Sequence, residues 1–250
     1  MQRRGKVGEC KLCRQQAKLH CSHIIPEFCY KSIYRSKHQL TEVRVSPQGL
    51  NRRISQKGYK EPMLCSSCEQ KMNIWETAFH DFWYSTIVPS GPVTQKYPVI
   101  DGFDYKWMKL FHLSVIWRLH SAEGFGRIDL GSYAEQIRDM LLRENAGLAN
   151  NLPVFGCLLL DDTNKIMDML ITEPGMGRWD NSYFYSVSYA GCEWLFLMVN
   201  EPTKKQKEVI DAFGIQVNGS MRLMTAHYKR SRSWDKLVRE IRSAIKGRSI

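Results

Sequence analysis

No stretch of the sequence reaches the roughly 18 consecutive apolar residues that a membrane-spanning helix needs; the longest apolar runs, around Leu158 and Leu195, are strand-length and interrupted. The opening Met-Gln-Arg-Arg-Gly-Lys contains no apolar run and does not read as a secretory leader. Internal repeats and low-complexity tracts are also missing, which sets aside solenoids and flexible linkers. These absences lead to the expectation of a soluble cytoplasmic protein with no membrane partner. In that reducing compartment the eight cysteines are read as metal ligands or buried thiols before disulfides.

Acidic residues are scarce at both ends. Residues 1–70 hold 14 Lys or Arg against 5 acids, and residues 227–250 hold 8 against 2, while the whole chain carries +11. The middle is therefore mildly acidic. Basic ends suit a polyanion, because each phosphate they neutralise releases condensed counterions, although a solvated, solubilising surface has the same composition. Candidate phosphate contacts are Arg52, Arg53, Lys57 and Lys60 near the front, and Lys229, Arg230 and Arg232 in a tail that also carries aromatic residues. Nucleic acid is the expected partner, DNA ahead of RNA.

With 250 residues, 43% of them hydrophobic, the chain can build a real core. Gly and Pro are missing from Glu69 to Val88, which predicts a long helix ended by Pro89. Further helices are predicted over 105–122, 132–144 (with Ser132 as cap), 203–213 and 233–245. Strand-length apolar runs predict sheet at 154–160, 166–172, 183–189 and 192–199, arranged as an antiparallel meander, and a hairpin near 39–54. The reading is an α+β protein with two parts: a zinc-ribbon module over residues 1–90, and an α+β domain over 91–250 that recognises a substrate or partner.

The strongest chemical signal is a pair of CxxC motifs, Cys10-Lys-Leu-Cys13 and Cys65-Ser-Ser-Cys68. Two such knuckles supply the four thiolates of a closed tetrahedral zinc site, which has no open coordination position and so holds structure without activating water. His20, Cys21, His23 and Cys29 lie close enough in sequence to replace a ligand. Between the knuckles stands Ser22-His23-Ile-Ile-Pro26, and Glu69, Asn73, Glu76 and His80 share one face of the predicted helix.

These three strings, covering about residues 8–80, resemble the HNH nucleases, the zinc-ribbon branch of the His-Me finger (ββα-metal) endonucleases. The resemblance implies a ββα-metal-like front module in which His23 is the general base for water attack on a phosphodiester. It also implies a catalytic Mg2+ or Mn2+ ion beside the structural Zn2+. The sequence departs from the pattern at the ion: Ser22 stands where Asp or His is usual, Glu69 where His is usual, and no Asn precedes Leu64. Ser22 and Glu69 are the candidate ligands, with Glu76 and His80 as further members of a catalytic set. A role in bacterial anti-phage defence, with a regulatory protein partner, extends the same resemblance. The alternative is a catalytically inactive zinc ribbon that binds nucleic acid or a partner protein.

Overall fold

The computed structural model describes residues 7–35, 39–46, 49–55, 58–126 and 128–230. The helix predicted over 233–245 lies outside them. The chain is a mixed α+β protein with, among the described residues, four α-helices, one five-stranded sheet and four two-stranded pairings. No helix among the described residues is long and apolar enough to cross a membrane.

The front segment opens with a small antiparallel pair, β1 (Val7–Glu9) and β2 (Gln16–Lys18). Strand β3 (His20–His23) then pairs antiparallel with β6 (Lys60–Leu64), and α1 (Ser66–Phe82) follows directly. The hairpin of β4 (Leu40–Ser46) and β5 (Gly49–Ser55) is inserted between β3 and β6. Two antiparallel strands leading into a helix thus form the unit around His23. Beyond Phe82 the chain keeps winding as a wider turn at Trp83–Ile87 and a tighter one at Val88–Ser90, stopping where Pro89 removes a backbone donor.

Helix α2 (Tyr105–Ser121) starts under an Asp104 cap that accepts the Trp107 amide at 2.9 Å, and every residue from Met108 to Leu119 is buried. That explains its lack of a polar face, since a helix wrapped on all sides has none. Phe111 stacks on Phe79 of α1 with centroids 4.0 Å apart. His112 lies against Trp194 at 3.9 Å and shares a 2.7 Å hydrogen bond with Tyr189. Helix α3 (Tyr133–Arg143) packs alongside. Ser132 does not cap it; its backbone is already helical and its hydroxyl makes no capping bond.

The five-stranded sheet runs β13-β8-β11-β10-β9, from β8 (Val154–Leu160), β9 (Gly175–Trp179), β10 (Ser182–Tyr189), β11 (Cys192–Met198) and β13 (Met224–His227). Four of the strands are antiparallel neighbours, and β13 joins β8 in parallel, a non-local return that the local patterns did not predict. Alternate residues divide between two cores. Val187, Trp194 and Phe196 face the large cluster around α2, while Phe155, Phe184 and Leu197 face Ile210 of α4 (Lys204–Phe213). The remaining strands, β7 (Val99–Asp101) and β12 (Ser220–Arg222), pair with each other.

The strand predicted at 166–172 is not formed. Ile166 makes one bridge to Leu160, and the pairing strand is β9, whose Gly177 lies opposite Phe184 where that ring fills the space a Cβ would take. A strand built around two glycines carries little apolar signal. The large cluster contains Cys10, Trp75, Leu119, Val187 and Leu223 together, so one continuous core runs through both halves of the chain.

Lys109 is buried in α2, donating to Tyr105 Oη at 3.0 Å and to the Leu148 carbonyl at 2.5 Å. Burial pushes its ammonium down to about 7, against an ordinary value of about 10.4. The folded chain therefore releases a proton that the unfolded chain keeps, and stability from this group rises with pH above about 7, by up to ~1.4 kcal/mol per unit. In denaturant titrations, the stability difference between wild type and Lys109→Met should shift toward wild type between about pH 7 and pH 9; a difference independent of pH would contradict this account.

Candidate functional site

Cys10 and Cys13 sit in the tight turn between β1 and β2, where the Arg14 amide donates to the Cys10 carbonyl at 2.7 Å and Arg14 takes a left-handed φ of 64°. The Lys11 amide donates to the Met63 carbonyl at 3.0 Å and so fixes this turn to β6. Cys65 is the residue preceding the first turn of α1, and Cys68 lies within that turn. The four sulfurs of Cys10, Cys13, Cys65 and Cys68 lie within 4.8 Å of one another. Cys13 and Cys65 are 3.7 Å apart, close to the roughly 3.8 Å edge of a tetrahedron with 2.3 Å metal–sulfur bonds. The Cys65 amide donates to Cys10 Sγ at 3.3 Å. This group could hold a metal such as zinc. His20, Cys21, His23 and Cys29 do not belong to it, and Cys29 is wholly buried, which pushes its thiol well up.

The second cluster lies where β3 faces α1. Ser22 is fully buried and donates its hydroxyl to Glu69 Oε2 at 2.5 Å. His23, at the end of β3, is half-buried; its Nε2 is shielded from solvent, has no hydrogen-bond partner and lies 3.7 Å from Glu27 Oε2. Burial pulls the imidazole below its ordinary value. Glu27 opposes that shift, while Lys60 and Arg118 reinforce it. At neutral pH the ring is therefore uncharged and able to accept a proton.

Arg118 of α2 reaches into this cluster, and sequence reasoning did not single it out. Its Nη1 donates to the His23 carbonyl at 2.8 Å and pairs with Glu76 Oε1 at 2.7 Å, while Nε holds the Ser114 carbonyl at 3.2 Å. Burial raises the Glu76 carboxyl above its ordinary range, and the guanidinium offsets part of that rise. The position a cation would take beside Glu76 is thus filled by Arg118. Among the described residues, the cysteine quartet is the one group of three or more His, Cys, Asp or Glu whose ligand atoms converge. His23, Glu69 and Glu76 do not approach one another to that degree. A signal for Arg118 did exist: a lone arginine among Val115, Ile116, Trp117 and Leu119 must find a buried partner.

His80 stands apart from the carboxylates. It packs against Phe28 and Tyr84, and its Nδ1 meets Asp81 at 2.9 Å. Asn73 is exposed. Of the predicted phosphate contacts, Arg53 on β5 and Lys60 on β6 are exposed, and Lys60 is the strand partner of His23. Arg52 also lies on β5. Lys229 and Arg230 follow β13, remote in topology from the β3–β6–α1 unit, and Lys229 is paired with Asp162 at 3.4 Å. Lys57 and Arg232 fall outside the described residues.

Two outcomes follow from this geometry. The purified chain should carry one equivalent of zinc, and Cys68→Ser should lose it; forfeiting about 3 kcal/mol would lower the melting midpoint by roughly 6–12 °C, read by metal analysis and calorimetry. Arg118→Met should strand the Glu76 carboxylate and cost about 3 kcal/mol in denaturant unfolding. Arg118→Met with Glu76→Gln should recover much of that loss. None of the known family models, curated protein sequences or solved structures matches this chain, so its function has to be argued from the geometry of these two clusters.

Proposed function

We propose that the chain is a metal-dependent endonuclease of the HNH type that hydrolyses phosphodiester bonds, in DNA rather than RNA, with zinc in the cysteine quartet as a structural ion. One observation carries the reading: His23 ends the first of two antiparallel strands, and the following helix turns Glu69 toward Ser22, the residue beside it. The neutral imidazole takes the proton of the attacking water. Glu27, 3.7 Å from its Nε2, stabilises the imidazolium that results. Arg118 is a positioning residue: by holding the His23 carbonyl it fixes the end of β3 and with it the ring. Ser22 and Glu69 would hold a Mg2+ or Mn2+ ion, which when bound supplies neutralisation of the phosphate and the leaving oxygen.

The zinc site supports this arrangement mechanically. Cys65 and Cys68 belong to the start of α1, and Glu69 follows at once, so a closed metal knuckle fixes where that carboxylate stands relative to β3. Control by a protein partner and a role in anti-phage defence fit an enzyme whose uncontrolled activity would harm its own cell, and they rest on the family resemblance alone.

A second reading is favoured by a specific observation. Glu76 is committed to Arg118, and no second metal-binding group converges among the described residues. On that basis the module could be an inactive zinc ribbon that binds nucleic acid or a protein partner. Incubating plasmid DNA and RNA with wild-type and His23→Ala protein of equal zinc content, with Mg2+ or Mn2+, separates the two. The nuclease reading expects metal-dependent cutting that falls roughly 10²-fold or more in the variant. If both proteins are inert on every substrate, the binding-module reading replaces it.

A further inference from the structure

Strands β3 and β6 run antiparallel and in register from Cys21 with Pro62 to His23 with Lys60, and the next residue, Ile24, donates its amide to the Tyr59 carbonyl at 3.0 Å. That bond makes Ile24 and Tyr59 a hydrogen-bonded pair. His23 and Lys60 are therefore a non-hydrogen-bonded pair, the kind whose side chains approach most closely. Their Cβ atoms lie about 5 Å apart on one face of the two strands. Alternation puts the neighbouring side chains on the other face. There Ser22 turns to Glu69, Glu61 accepts the Glu123 and Gly124 amides at 2.9 and 2.8 Å, and the Tyr59 ring stacks on Phe125 with centroids 4.4 Å apart.

The backbone that carries Lys60 is thus held at both neighbours, while the lysine side chain is left unclaimed. It is exposed, and among the described residues it makes no hydrogen bond or ion pair. Lys11, Lys71, Lys109 and Lys229, by contrast, are each engaged by a carbonyl, hydroxyl or carboxylate. The Lys60 charge reaches the ring: burial lowers the imidazole most, Lys60 and Arg118 add to that, and Glu27 and Glu69 oppose it. Arg118 is committed to Glu76 and to the His23 carbonyl. Of these two cations, Lys60 is the one with donors still to give. A charged donor fixed beside a general base is placed to meet the anion whose phosphorus the activated water attacks.

We propose that Lys60 is a catalytic residue whose ammonium donates to a non-bridging oxygen of the scissile phosphate while His23 activates the water. The inference rests on the nuclease reading above and turns Lys60 from one of several contacts to the nucleic-acid backbone into part of the reacting centre. The water oxygen bonds to phosphorus as its proton passes to His23. The bond from phosphorus to one sugar oxygen breaks, and that oxygen leaves with the electron pair and takes a proton from solvent. Lys60 keeps its own protons throughout and stabilises the charge that builds on the phosphoryl oxygens. Because every nucleotide offers the same oxygens, this contact confers no base preference.

The test separates the chemical step from binding. Plasmid DNA is cut under single-turnover conditions with Mg2+ or Mn2+ at rising concentrations of full-length protein, so that the plateau rate reads chemistry and the midpoint reads affinity. Wild type is compared with Lys60→Ala and Lys60→Arg at equal zinc content, with thermal melts to verify folding. The alanine chain is measured again with propylammonium chloride and, as control, with the same concentration of sodium chloride. We expect Lys60→Ala to lower the plateau roughly 10²-fold and to move the midpoint less than about threefold. Lys60→Arg, which keeps the charge, should retain at least about a tenth of the wild-type plateau. Propylammonium should restore the alanine chain about tenfold where sodium does not. Should Lys60→Ala not fold, Lys60→Gln replaces it. A plateau within about threefold of wild type, with weaker affinity and a salt slope lower by about one, makes Lys60 a binding contact alone and overturns the proposal. A lowered plateau that neither arginine nor propylammonium restores also overturns it. In both cases wild-type cutting leaves the nuclease reading standing, whereas wild type inert with either metal removes that reading and this role with it.

Discussion

A guanidinium sunk in an apolar helix must be neutralised where it lies, and the pairing of Arg118 with Glu76 is the interaction around which this molecule is arranged. Helix α2 is buried over its whole middle because α1, α3 and the five-stranded sheet surround it. No water is available there to solvate a charge, so the carboxylate has to come from a neighbouring element. Glu76 on α1 supplies it, and the remaining donor capacity of Arg118 goes to the His23 carbonyl and to Ser114. One side chain thereby fixes the angle between α1 and α2, the position of α1 against β3, and the end of the strand that carries the histidine. The core and the candidate site are thus tied to one charge.

The cysteine quartet acts at the other end of α1. By joining the β1–β2 turn to the first turn of the helix, it sets where Glu69 emerges. That turn is tied to the rest of the chain as well: Lys11 donates to the Ser121 carbonyl at 2.6 Å, and Arg138 of α3 to the Leu12 carbonyl at 2.8 Å. Both bonds join the cysteine knuckle to the part of the chain that follows residue 90. The front segment is therefore braced by α2 and α3 rather than hung on a linker. Arg118 also joins this larger part to the histidine directly, through the His23 carbonyl.

Much of this was legible locally. The helices over 105–121 and 204–213, the strands at 154–160, 182–189 and 192–198, and the hairpin near 40–55 all follow from periodicity and turn residues. Strand β9 did not, since Gly175 and Gly177 leave it without an apolar pattern and its place depends on Phe184 across the pair. The cap expected at Ser132 failed because the chain there is already wound, leaving nothing for the hydroxyl to satisfy. The grouping of Glu69, Glu76 and His80 on one face is correct as helical geometry, yet a shared face does not make a shared site. Glu69 turns to Ser22, Glu76 to Arg118, and His80 to an aromatic pocket.

The sequence by itself determined the thiol quartet, because two CxxC motifs and a helix start confine four sulfurs with little else to arrange. It determined the α+β character too, since periodicity is a local property of the chain. Only the tertiary structure decided which charges meet. Arg118 lies 42 residues from Glu76 and 95 from His23, and no local pattern encodes a contact across that separation. Burial also holds the His23 imidazole below its ordinary value, and the Arg118 guanidinium works against the rise that burial imposes on the Glu76 carboxyl. Protonation in a protein follows from desolvation and neighbouring charge, and both exist only once the chain has closed around them.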